Sequence, residues 1–280
     1  MIGYLILAVF IGLLYMGIHR KVIARIQGRP GPPIWQELLH TLKFSFKRTW
    51  VPKTASPAIF IGIVLVAIGI WTAALWVVVS GGSLLIIFGL YICYKMVEHG
   101  VGLSPGSPYA KFGGVRSVIS AASEIPLLIS VGVLYFFTGS LMIGDIAAFQ
   151  AEHGPLLVTA APAALALYVV LLSKMHYSPF SIVESKEIVS GYKTEHFGVW
   201  RAGLEAADGI KTFVLLYLFV LLFVGPLPLL LALLAMLVLM LTLSFVCALT
   251  PMLAPFDSVT VQTGLIVVVL AWTALLVVVL

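Results

Sequence analysis

Residues 57–80 read PAIFIGIVLVAIGIWTAALWVVVS, 24 consecutive positions without one charged side chain. As a helix this run rises about 36 Å, more than the roughly 30 Å hydrocarbon core of a bilayer. Lipid offers backbone amides no partners, so such a run crosses as a helix that satisfies its own hydrogen bonds. Seven more apolar stretches flank it, near 2–19, 82–98, 115–139, 155–174, 202–224, 227–249 and 259–280. Of the whole chain 61% is hydrophobic and 10% charged, whereas a soluble domain averages about 25% charged. A water-soluble fold cannot hide that much apolar surface. The reading is an all-α polytopic membrane protein, one transmembrane domain over 1–280 with about eight spans, and not a soluble enzyme.

The charges then orient it. Fifteen of the sixteen lysines and arginines fall in or beside the connections between spans 1 and 2, 3 and 4, and 5 and 6. The alternate connections, Ser80-Gly81-Gly82-Ser83, the stretch holding Asp145 and Glu152, and Gly225-Pro226, carry none. Basic loops stay on the cytoplasmic side, which leaves both termini outside. The net charge of +5 therefore reports orientation in a cell (plasma) membrane, and no nucleic-acid partner is expected. The first 18 residues lack a preceding basic segment and are followed by His19-Arg20-Lys21, the reverse of a secretory signal.

Chemistry-bearing motifs are few. Cys93 and Cys247 both lie in apolar runs and read as packing residues, too few for a disulfide framework or a thiolate-held cluster. The six histidines lack metal-ligand spacing, so no metal is assigned. No phosphate-cradling glycine loop, nucleophile elbow or dinucleotide fingerprint is present, which argues against redox or hydrolytic chemistry in this chain. In the first basic connection Ile34, Trp35, Leu38, Leu39, Leu42 and Phe46 recur at helical spacing, with Glu37, Lys43 and Lys47 opposite. This predicts an interfacial amphipathic helix over 34–48, either a plain anchor or a lateral wall for a site.

Ionisable groups set against apolar helices are costly and mark function. Arg116 and Glu124 stand eight residues apart with Ser120 and Ser123 between them, able to share one helix side, and Pro126 comes two positions later. Arg201, Glu205, Asp208 and Lys211 form a slanting stripe on span 6. Glu184 and Glu187 lie one turn apart in a cytoplasmic acidic loop, 175–200, where Pro179 and Gly191 bracket a short helix. Each set also has a bland reading, respectively a packing ion pair, a salt-bridge ladder and a solvated loop helix.

Four stretches together resemble the membrane subunit 1 family of respiratory complex I, the bacterial H subunit. They are Arg20 to Pro32 with its Gly-Pro ending, Ser107 to Arg116 followed by Ser123-Glu124-Ile125-Pro126, Pro179 to Gly198, and Glu205 to Lys211. The likeness is greater still to the counterpart (M) subunits of archaeal ferredoxin-dependent membrane-bound hydrogenases and sulfane sulfur reductases. His19 replaces a glutamate usual in complex I relatives, and Ser181 and Val183 stand where aspartate and proline are common, which points away from quinone reduction.

The resemblance implies a subunit without its own redox cofactor, joining an electron-transfer arm to antiporter-like subunits that move H⁺ or Na⁺. Iron-sulfur clusters and a nickel-iron centre would belong to hydrogenase-like large and small subunits, fed indirectly by ferredoxin. Glu124, Glu184, Glu187, Glu205, Asp208, Lys211 and Arg116 are then expected on the ion-coupling path, and Arg25, Arg29, Lys43 and Lys47 at the docking face. The alternatives are the quinone-site subunit of a complex I type oxidoreductase and a stand-alone ion transporter.

Overall fold

A computed structural model describes residues 2–183 and 191–279. The elements in chain order begin with α1 (Ile2–Ile26), α2 (Gln36–Ser45), α3 (Pro57–Val79) and α4 (Leu84–Leu103). Next come α5 (Pro108–Ile119), a 3₁₀ turn (Ser120–Ser123), α6 (Glu124–Thr138), α7 (Ile143–His153), α8 (Leu156–Thr159) and α9 (Ala161–Lys174). The chain ends with α10 (Val199–Phe223), α11 (Leu229–Leu249) and α12 (Pro255–Val279). Seven helical segments among the described residues are long and apolar enough to cross a membrane, counting α5 to α6 as one. Large apolar side chains face outward around the bundle, Leu65 at 58%, Leu230 at 71% and Leu275 at 62% exposure, an arrangement suited to lipid and not to water.

The fifth expected span, 155–174, is not one helix. Ala160 leaves helical geometry (φ −109°, ψ 38°) and Pro162 comes just after it, so the stretch divides into one-turn α8 and fourteen-residue α9. A helix of that length rises only about 21 Å. The fourth, 115–139, is broken by the 3₁₀ turn, and Arg116 and Glu124 therefore do not share one continuous helix side. The first and third spans run past their expected ends, to Ile26 and Leu103, which puts Arg20 and Arg25 on α1 and His99 on α4. Helix α7, in the connection carrying Asp145 and Glu152, has no counterpart among the expected elements. The acidic pair Glu184 and Glu187, with the short helix expected there, lies outside the described residues.

Helix α10 is the pillar: Leu204 through Leu216 are buried without exception save Ala206. Helices α1 and α3 pack on it, α4 on α3, α6 and α12 on α9, and α11 on α1. The α1–α10 crossing is set by two glycines, because a Cβ on Gly12 would lie 1.9 Å from the Gly209 carbonyl oxygen. Backbones approach this closely only where side chains are missing. The basic connections gather at one end of the bundle, where Gln27 reaches the Ala248 carbonyl (3.1 Å) and the Val199 amide donates to Thr49 (3.0 Å). The Leu253 amide donates to Pro179 there as well (2.9 Å). At the other end the start of α4 is tied to the segment before α7 by Leu84 N to Leu141 O (2.9 Å) and Ile143 N to Gly82 O (3.0 Å).

Candidate functional site

The stripe on α10 lies inside the protein. Glu205 is 5%, Asp208 1% and Lys211 6% exposed. Arg201 Nε sits 2.7 Å from Glu205 Oε1, and its terminal nitrogen donates to the Lys193 carbonyl (2.9 Å). Asp208 is enclosed by donors: Lys193 from the preceding loop on Oδ2, Lys211 on Oδ1 (2.7 Å), and the Tyr94 hydroxyl at 3.3 Å from Oδ1. Burying a carboxylate is tolerable only with such pairing.

Helix α4 continues the row. Lys95 and Glu98, both buried, pair at 2.7 Å, and Lys95 also donates to Ser120 Oγ at 2.5 Å. Lys174, ending α9, stands 4.7 Å from the centre of the Tyr91 ring. A cavity of about 30 Å³ joins the two groups, lined by Lys95, Glu98, Lys174, Lys211, His176 and Tyr192 among others. That is space for one or two waters held by polar partners. Beyond the 3₁₀ turn, Glu124 opens α6 with Oε1 buried and without a hydrogen-bond partner, and the charges that reach it are Lys174, Lys95 and Glu98. The polar row thus runs sideways through the bundle, from α10 across α4 and the end of α9 to α6.

At the basic end the row opens into a cavity of about 220 Å³ lined by Arg20, Glu37, His40, Tyr192, Lys193 and Glu205 among others. Arg20 pairs with Glu37 and stands 5.9 Å from the Tyr177 ring. Arg20 and Tyr177 also line a second cavity, of about 360 Å³, walled by Ile23, Arg29 and Pro30. Helix α2 keeps Glu37 opposite its apolar side chains: Glu37 is buried toward Arg20, while Trp35, Leu39 and Leu42 face outward at 50% exposure or more. Its outward apolar face suits lipid, and its inner polar face walls the cavity.

Of the expected site residues, the structure brings Glu205, Asp208, Lys211 and Glu124 into one row. Arg116 stands partly exposed on α5, on the other side of the 3₁₀ turn from Glu124. Arg25, Arg29 and Lys43 are exposed at the basic end, whereas Lys47 packs over the rings of Phe44 (5.5 Å) and Phe197 (4.9 Å). Sequence reading passes over Tyr94 and Glu98, and it treats Lys95, Lys174 and Lys193 only as markers of orientation. The available signal is Lys95 and Glu98 three apart in an otherwise apolar run, a spacing that pairs on a helix. Among the described residues no group of three or more His, Cys, Asp or Glu is placed to hold a metal.

Two histidines have definite structural posts. His19 joins three elements, with Nδ1 2.8 Å from Ser244 Oγ of α11 and Nε2 2.8 Å from the His176 carbonyl. His196, in the loop before α10, is buried flat on Phe60 (centroids 4.2 Å, planes 6° apart), and neither ring nitrogen has a partner. Burial, helped by the nearby Arg201 and Lys193 cations, pushes the His196 pKa from 6.5 down to about 3. Between those values the unfolded chain binds a proton that the folded chain refuses. Stability from the neutral ring is therefore complete above pH 6.5 and is lost as pH falls toward 3. Thermal unfolding of detergent-solubilised protein followed over that window should fall less steeply for His196→Phe, which keeps the stack and cannot titrate. Identical slopes for variant and wild type count against this account.

The sequence profile of the family described as NADH dehydrogenase matches residues 1–279. The chain belongs to the complex I membrane subunit 1 (bacterial H subunit) family. One member of that family, a Methanocaldococcus jannaschii protein provisionally named as an NADH-ubiquinone oxidoreductase, is 51% identical, the match covering 91% of this chain and 88% of the relative. Component C of hydrogenase-4 from Escherichia coli is 32% identical over 75% of this chain and 70% of its own length. In solved structures the fold matches a chain of the membrane-bound sulfane sulfur reductase, an archaeal respiratory membrane complex, with a TM-score of 0.85 and 26% identity over 97% of this chain and 96% of that one. As a subunit 1 family member the chain is a complex I-related, multi-pass membrane protein.

Proposed function

We propose that this chain is the coupling joint of a hydrogenase or sulfane sulfur reductase type respiratory complex. It links a cytoplasmic electron-transfer module, fed by ferredoxin, to antiporter-like subunits that translocate H⁺ or Na⁺. The observation that carries the reading is the lateral row of buried charge from Glu205 through Asp208, Lys211, Glu98 and Lys95 to Glu124. A charge change at one end of such a row is felt at the other because the interior screens it weakly. The exposed Arg25, Arg29 and Lys43 at the basic end suit docking of an acidic partner surface. Clusters and any nickel-iron centre then belong to partner subunits.

In this mechanism, reduction in the docked arm alters the field at the basic end, where Glu205 faces the cavity. Coupled groups redistribute their protons as a unit. The displacement ends at Glu124, whose unpaired oxygen is the natural donor or acceptor toward a neighbouring membrane subunit. In the intact complex reconstituted in vesicles, Glu124→Gln and Glu205→Gln should each abolish ion uptake, with electron transfer either stopped or uncoupled. Undiminished uptake per electron in both variants would defeat the proposal. The quinone-site alternative is less well supported. His19, in the glutamate position of complex I relatives, is consumed by two structural hydrogen bonds.

A further inference from the structure

The 3₁₀ turn Ser120–Ser123 interrupts an otherwise apolar membrane segment running from Pro108 to Thr138. Short 3₁₀ stretches inside helices often mark hinges. On the N-terminal side of the turn the chain is clamped. A Cβ on Gly102 of α4 would lie 2.7 Å from the Ala110 carbonyl oxygen, and the Gly114 carbonyl is 2.8 Å from His99 Nδ1, so α5 is fixed on α4. On the C-terminal side Pro126 has no amide proton to give the carbonyl four residues back, inside the turn, and Glu124 Oε1 is an orphan.

A second orphan lies on a helix that packs against the same turn, α12. On α12, Gln262, 2% exposed, donates through Nε2 to Ser258 Oγ (3.2 Å), while its Oε1 is buried without a partner. Unspent buried acceptors are uncommon and call for a reason. One at the end of the irregular turn and one on the helix packed against it suggest a second arrangement in which they are used.

The grip on the turn comes from Lys95. Its ammonium donates to Ser120 Oγ (2.5 Å) and to Glu98 Oε2 (2.7 Å), and Ser120 in turn donates to the Ser117 carbonyl (2.8 Å). We infer that Ser120–Ser123 is a two-state hinge and that Lys95 is the positioning residue that sets it. The inference rests on the coupling reading above and supplies its moving part. A proton passes from the Lys95 ammonium along the existing bond to Glu98: one N–H breaks, one O–H forms, and the pair goes from two opposite charges to two neutral groups. The charge-assisted bond to Ser120 then becomes an ordinary one, about half as strong. Released, the turn relaxes toward α-helix. Each residue converted turns α6 by about 20° and shortens it by about 0.5 Å relative to α5, from the two helix geometries. This moves the Glu124 carboxyl, which the Lys174, Lys95 and Glu98 charges reach.

The test uses the whole complex in vesicles, tracking electron transfer, ion uptake, and hydrogen exchange of the 117–130 amides at rest and in turnover. Lys95→Arg keeps a cation and its donors but does not give up its proton. It should assemble and transfer electrons without ion uptake, and the hinge amides should exchange alike at rest and in turnover. The double variant K95M/E98L replaces a buried pair by apolar groups, a change often neutral for stability, and should also assemble uncoupled. Wild-type coupling in either variant, with exchange still responding to turnover, overturns the hinge. If neither assembles, Ser120→Ala decides, because it removes the grip and spares the pair: hinge protection equal to wild type overturns the inference. A wild-type complex that takes up no ions counts against the coupling function itself, and the exchange comparison still judges the hinge.

Discussion

Asp208→Asn is expected to prevent accumulation of the assembled complex. The carboxylate is 1% exposed, and its oxygens are shared by Lys193, Lys211 (2.7 Å) and the Tyr94 hydroxyl (3.3 Å). An asparagine keeps the volume but supplies one acceptor where two stood, and it turns an amide N–H₂ toward an ammonium. Removing one partner from a buried ion pair costs about 3–5 kcal/mol because the other charge is left uncompensated. Here two ammoniums lose their anion at once, against a total stability of about 5–15 kcal/mol for a typical domain. Thermal unfolding and complex yield in mild detergent measure the loss. Adding Lys193→Gln removes one of the stranded charges and should recover much of the yield without recovering ion uptake. Normal yield and stability of the single variant would show that Asp208 is not the anchor of this node.

How much of this is legible in the sequence depends on the kind of signal that carries it. The apolar runs at 57–80 and 227–249 correspond closely to α3 and α11, because in lipid the length of an uncharged run is itself the physical constraint. Charge at the ends of runs misleads. Arg20 reads as a loop residue and Lys95 as the end of its span, since basic groups usually stop at the membrane surface. Here α1 and α4 continue past the apolar stretch, and partners from other helices accommodate the charge: Glu37 for Arg20, Glu98 and Ser120 for Lys95. Such partners are distant in sequence, apart from the Lys95 and Glu98 pair, and no local pattern announces them. The break at Ser120–Ser123 is half visible, since Pro126 announces a distortion but not where it falls. The placing of Glu37 opposite the apolar side chains of α2 is readable from amphipathic order, whereas its pairing with Arg20 is not. The acids of α10 are readable because their spacing of four, three and three is helical, whereas their lysine partner Lys193 arrives from a loop.

The second large effect is expected at a residue with no side chain. Gly12 of α1 faces Gly209 of α10 so closely that a Cβ would stand 1.9 Å from the Gly209 carbonyl oxygen and 2.6 Å from its carbonyl carbon. Both obstacles are helix backbone, so no rotamer change relieves the clash and the helices must separate. Overpacking a core by a methylene or more typically costs about 1–3 kcal/mol, and a backbone obstacle places Gly12→Val at or above the upper end of that range. The consequence extends to function, because the crossing lies beside Asp208 and sets the distance between α1 and the charged face of α10. Arg20, two turns along α1, lines the same cavity as Glu205. Separation at Gly12 should therefore lower the unfolding temperature and also loosen the wall of the cavity at the basic end. Gly69 on α3 has open space where a Cβ would stand, with nothing within 4 Å, and Gly69→Ala should be neutral or stabilising by up to about 1 kcal/mol from helix propensity alone. If Gly12→Val and Gly69→Ala unfold at the same temperature and couple equally well, the close α1–α10 crossing is not what holds the charged row in place.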